Sequence, residues 1–175
     1  MTRNDSLRLE LDAAGAMKVS AEYRARLALL KKKFQHTIVV LSDGPGRIKR
    51  FNCFAYAFGI WNDPRYERLV SRAKNSALMN PAFVMQWLGG AGIIDVTDDA
   101  VRPNDVVLYF TGDRLMHAGR VVAVSAERTI LSKWGGNEVH EHKLWELPLQ
   151  YGDRVRYFRP PDAATLLDRL EAEQR

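Results

Sequence analysis

The chain contains one cysteine, Cys53, standing in Asn52-Cys53-Phe54-Ala55-Tyr56-Ala57-Phe58-Gly59 at what reads as the first turn of a helix. A helix start exposes N–H groups and the positive end of the peptide dipole, and both favour an anion. A thiol placed there can have its pKa lowered from about 8.5 into the range of about 3.5–7.5, which makes it a nucleophile at neutral pH. The alternative is a small apolar packing residue, the usual role of a free cysteine, and the flanking Phe54, Ala55 and Phe58 suit it. Downstream, Met116-His117-Ala118-Gly119-Arg120-Val121 offers an imidazole, His117, that could serve such a thiol as a base.

The elements that must position these groups follow from periodicity and turn chemistry. From Ser20, which can act as a cap, Tyr23, Leu27, Leu30 and Phe34 recur on one helical face, with Lys31, Lys32 and Lys33 where cations suit the dipole. Thr37 to Leu41 is β-branched and apolar, a short strand broken by Asp43-Gly44-Pro45-Gly46. Arg47, Lys49 and Arg50 then lead into the cysteine helix, where they could help to lower the thiol pKa or simply face water; Gly59 can end that helix.

Pro64 to Met79 reads as a further helix, and Asn80-Pro81 opens another, whose buried face is Phe83, Val84, Trp87 and Leu88 and which Gly89-Gly90 ends. Strand-like segments follow at 105–110, 117–124, 128–134 and 154–158, separated by turns as in an antiparallel meander. Asp162 can cap a last helix carrying Leu166, Leu167 and Leu170. Helices followed by strands predict an α+β fold. Residues 1–19 show no sustained period and are expected to form a loose arm ahead of a single domain over 20–175, with its core at about 35–160.

Composition narrows the classes. With 175 residues and 46% hydrophobic content the chain can bury one substantial core. A single cysteine excludes an intramolecular disulfide framework and a CxxC-type zinc site. Acidic residues interrupt the N-terminal segment and no apolar run approaches the roughly 18 residues of a membrane span, so a cytoplasmic protein is expected, unless a specialised secretion route exports it. The net charge of +5 would suit an acidic partner surface, but no nucleic-acid-binding motif accompanies it.

A cysteine at a helix start, followed by helices and then a strand opening with histidine, resembles the papain-like cysteine peptidases of the NlpC type. Pro103-Asn104-Asp105-Val106-Val107-Leu108-Tyr109-Phe110 is similar to that superfamily's Pro-Gly-Asp strand, with Asn104 in place of Gly, and His117 to Val122 is similar to its His-Val-Gly strand. The chain more closely resembles an uncharacterised bacterial family of that superfamily, through Asn52 to Gly59, His117 to Arg120, Ser132 to Gly135, Glu141 to Leu144 and Tyr151-Gly152.

The resemblance implies a papain-like fold, with Cys53 as nucleophile and His117 as the general base that takes its proton and returns it to a leaving amine. It also implies a third polar residue on the strand after that of His117, and Ser132 is the best positional match if Ile130, Ser132 and Trp134 share a face. His142, in a loop that could fold back over the site, is the reserve for that position; with His140 it forms an H-x-H pair, which an ordinary loop accounts for better than a metal site. Asn52 could donate to an oxyanion beside the Cys53 N–H, or simply cap the helix. The implied activity is hydrolysis of an amide bond in a peptide or amide substrate, including cell-wall peptide, through a thioester and without a cofactor. A deamidase, an acyltransferase and a non-catalytic binding module of the same fold are the alternatives.

Overall fold

The computed structural model describes residues 4–17, 20–41, 51–72, 79–90, 92–97, 100–135 and 138–173. The chain runs α1 (Asp5–Gly15), α2 (Ser20–Phe34), β1 (Val39–Leu41), α3 (Cys53–Ala57), α4 (Pro64–Arg72), α5 (Pro81–Leu88) and β2 (Ile94–Asp95). It continues through β3 (Val106–Thr111), β4 (Arg114–Ala123), β5 (Thr129–Lys133), β6 (Val139–Lys143), a 3-10 turn (Leu149–Tyr151), β7 (Arg154–Arg159) and α6 (Ala163–Ala172). The strands form one sheet in the order β1-β6-β5-β4-β3-β7-β2, with antiparallel neighbours throughout. The α+β class is therefore observed.

Alternation along the strands sorts the side chains onto two helix-covered faces. Val106, Leu108 and Phe110 of β3, Ala118 of β4, Val139 of β6 and Phe158 of β7 pack with residues of α3, α4, α5 and α6. Val107 and Tyr109, Val121, Ile130 and Tyr157 point the other way and pack with Leu7, Leu11, Tyr23, Leu27 and Leu30 of α1 and α2. The sheet is thus the middle layer between α1–α2 and the remaining helices.

The helix over 20–34 buries the face its spacing predicts, through Tyr23, Leu27 and Leu30. Asn80 caps α5 by accepting from the Phe83 N–H at 2.9 Å, with Pro81 at the first helical position. Asp162 caps α6 in the same way. The helix expected over Pro64 to Met79 is described as Pro64–Arg72; residues 73–78 lie outside those described, as do the turn at 43–46 and the basic residues Arg47, Lys49 and Arg50.

Residues 5–15 correct the expectation of a loose arm. They form a capped helix whose Leu7, Arg8, Leu11 and Ala14 are buried. Arg8 is the reason the helical period is hard to see, because a fully buried guanidinium interrupts the apolar face. It donates to the carbonyls of Leu147 (3.2 Å) and Gly152 and lies over the Trp145 ring, so its charge is received by chain far away in sequence. Arg26 and Lys33 of α2 both pair with Glu10, fastening the two helices together.

Candidate functional site

Cys53 is the first residue of α3, and Asn52 fixes that start. The Asn52 Oδ1 accepts from the Ala55 N–H at 3.0 Å while its Nδ2 donates to the Met79 carbonyl at 2.8 Å. Both ends of the side chain are engaged, so Asn52 is a cap and a tie to Met79, not an oxyanion donor. The helix lies on the sheet face that holds Ala118, and the sulfur looks at the backbone N–H groups of Ala118, Phe54 and Cys53 itself, with the Lys133 cation nearby. These favour a thiolate, but burial of the sulfur outweighs them and pushes the pKa up to about 11. The sequence-based expectation of a lowered pKa is thereby corrected. Cys53 keeps some exposure as a residue, yet its thiol is protonated at neutral pH.

His117 precedes Ala118 on β4 and therefore points to the opposite face. Its partner across the ladder is Tyr109, of the α1–α2 core, and its ring lies flat against Tyr151 with centroids 4.1 Å apart and planes within 7°. The imidazole is fully buried, its Nε2 has no hydrogen-bond partner, and burial followed by the neighbouring His142 and His140 holds its pKa well below the ordinary histidine value. The structure thus sets the thiol against the backbone one residue from His117, while sending the imidazole away from α3. The β4–β5 ladder begins at Arg120↔Leu131, so His117 lies on the part of β4 not paired with β5. There Tyr151 connects the two sides: it covers the imidazole, and it is close enough to Cys53 that a charge on the sulfur would raise its own pKa further.

Ser132 is on the strand and the face expected of it, but it serves a different histidine. His142 Nδ1–H donates to the Lys143 carbonyl at 2.7 Å, since a carbonyl can only accept, which leaves Nε2 to accept from the Ser132 hydroxyl at 2.8 Å. The same Ser132 oxygen accepts from the Trp134 indole N–H at 2.8 Å. Ser132 therefore orients His142, and the expectation that it orients His117 is corrected.

His142 is not in a loop. It and His140 lie in β6, two residues apart and hence on one face, where His140 meets the Tyr23 hydroxyl at 2.7 Å and stacks on Trp134 at 4.1 Å. Burial lowers the pKa of His140 to about 3 and of His142 to about 4. Among the described residues no group of three or more His, Cys, Asp or Glu side chains could hold a metal ion.

The residues that the sequence leaves without a role at the site are Tyr151, Trp134 and Lys133. Tyr151-Gly152 is visible in the sequence as a motif piece, but its function as a cover over His117 depends on Arg8 and the 3-10 turn. Asp105, part of the Pro-Asn-Asp motif, is structural: it is almost fully buried, takes both arms of Arg159 at 3.0 Å and accepts from the Arg102 N–H at 2.7 Å.

No helix among the described residues is long and apolar enough to cross a membrane. No curated protein and no solved structure matches the chain. Residues 45–159, more than half of the chain and the segment that holds Cys53, His117, Ser132 and Tyr151, match a family described only as a domain of unknown function, and the chain belongs to that family, DUF7689.

Proposed function

We propose that this is a cytoplasmic papain-like cysteine hydrolase of the NlpC kind, cleaving an amide bond through a Cys53 thioester. The observation that carries the reading is the seat of the sulfur at the start of α3, facing the N–H groups of Ala118, Phe54 and Cys53 and lying one residue from His117 along β4. Those N–H groups suit an oxyanion formed when the sulfur attacks a carbonyl. The pair rests as a neutral thiol and a neutral imidazole, so the proton must pass to His117 during attack and not before it.

In that step the Cys53 S–C bond forms as the thiol proton moves to the imidazole. The proton then goes to the leaving nitrogen as the C–N bond breaks, and water releases the acyl group. Incubating the protein with phenyl acetate and weighing the intact chain tests this. Acetyl should accumulate on Cys53, about a hundredfold more slowly in His117→Ala, the scale of general-base assistance. Equal rates in the two proteins remove His117 from the mechanism.

The second reading is a non-catalytic module that kept this fold. The division of Cys53 and His117 between the two faces favours it, together with a thiol pKa near 11. No acetylation of Cys53 in the folded protein would establish this reading over the first.

A further inference from the structure

At the far end of α3 from Cys53, a cavity of about 420 Å³ opens between Phe58-Gly59, the Pro103-Asn104 turn and Pro160-Pro161. It falls within the size range of small-molecule sites, about 300–1,000 Å³. Its charges do not balance internally. Arg102, Arg120, Arg159, Asp105 and Asp162 line it, and the two carboxylates are already committed. Asp105 is held in the forked pair with Arg159, at 3.0 Å on each arm. Asp162 accepts from the N–H and hydroxyl of Thr165, both at 2.9 Å, and so answers the N-terminus of α6. Arg102 and Arg120 are left, and neither forms an ion pair among the described residues.

Arg120 rises from β4 on the α3 face and is half-buried, its guanidinium 5.9 Å from the centre of the Tyr56 ring. Gly59, with φ of +74°, lets the chain turn beside it; a Cβ there would stand 3.4 Å from Arg120 Nη1. A guanidinium partly withdrawn from water without a counter-ion is costly, and an anion entering the cavity would relieve that cost. The planar fork of arginine matches the oxygens of a carboxylate or phosphate. Two such forks in one concavity, edged by three prolines, suit a single anionic group better than an extended strand.

We propose that this cavity binds a small molecule through a terminal phosphate or carboxylate gripped by Arg102 and Arg120. The site is separate from Cys53 and does not rest on the catalytic reading. Inorganic phosphate and succinate, each against sodium chloride of equal ionic strength, are titrated into the full chain and followed by thermal unfolding and calorimetry. At least one oxyanion should raise the melting temperature saturably beyond chloride, and which one does so tells a phosphate ligand from a carboxylate ligand.

Binding should weaken about tenfold or more in Arg102→Gln, an exposed position that spares the fold, and in Arg120→Gln, consistent with losing a charged hydrogen bond. Cys53 alkylation should be unchanged in Arg102→Gln. The proposal is overturned if neither anion exceeds chloride, or if the dissociation constant is the same in wild type and Arg102→Gln.

Discussion

The Tyr151 ring lies parallel to the His117 imidazole, 4.1 Å between centroids, and it seals that imidazole on the face of the sheet opposite α3. The stack contributes to the burial of a ring whose Nε2 has no hydrogen-bond partner, and burial is the main cause of its lowered pKa. In Tyr151→Ala the His117 pKa should rise toward the ordinary 6.5, read from its imidazole proton shifts by NMR. Tyr151→Phe keeps the stack and should leave it nearly unchanged.

Three buried histidines on one face make the fold sensitive to acid. His117, His140 and His142 all have folded pKa values below that of an unfolded histidine, so the unfolded chain takes up protons first. Their contribution is fully present above about pH 6.5 and is lost as pH falls below it, at about 1.4 kcal/mol per pH unit for each group, down to about 4 for His142 and about 3 for His140. Urea midpoints should fall steeply between pH 6.5 and 4.5. The His142→Gln variant should show a shallower slope over that window.

Gly152 has a φ of +119°, and a Cβ there would stand 2.7 Å from the Phe110 carbonyl oxygen and 2.8 Å from its nitrogen. Its own carbonyl receives Arg8. Gly152→Ala should therefore cost about 3 kcal/mol from backbone strain and overpacking together. In a chain of this length that lowers the melting temperature by about 6–12 °C. Because the displaced segment carries Tyr151, the variant should also expose His117 to solvent.

Asp105 is 3% exposed at its side chain against 33% for Arg159, so the carboxylate is the more dependent partner. Asp105→Asn should destabilise by about 2–3 kcal/mol, less than for a fully buried pair because Arg159 can turn to water. Chemical denaturation checks this, and Cys53 reactivity should be unaffected.

Much of this architecture is legible in local sequence. The spacing of Tyr23, Leu27 and Leu30 marks the buried face of α2, and Asn80-Pro81 marks the start of α5. The strand at 139–143 is hidden because His140, Glu141 and His142 read as polar loop. The two histidines are tolerated inside because Tyr23, from the distant α2, and Ser132, from the neighbouring β5, meet them. The helix at 5–15 is hidden for a related reason, since the burial of Arg8 makes sense only with the carbonyls of Leu147 and Gly152 in place.

Alternation shows that His117 and Ala118 face opposite ways. Which of the two faces α3 is a tertiary choice with no local sign, and here it is Ala118.

The most direct test is the rate of Cys53 alkylation by iodoacetamide from pH 5 to 11, in wild type and in His117→Ala. A catalytic pair predicts two features in the wild type: a His117-dependent plateau near neutrality, and a further rise toward the thiol pKa of about 11. The variant should keep only the rise. A single rise that superimposes in the two proteins would contradict the pairing and leave Cys53 as a packing residue at the start of α3.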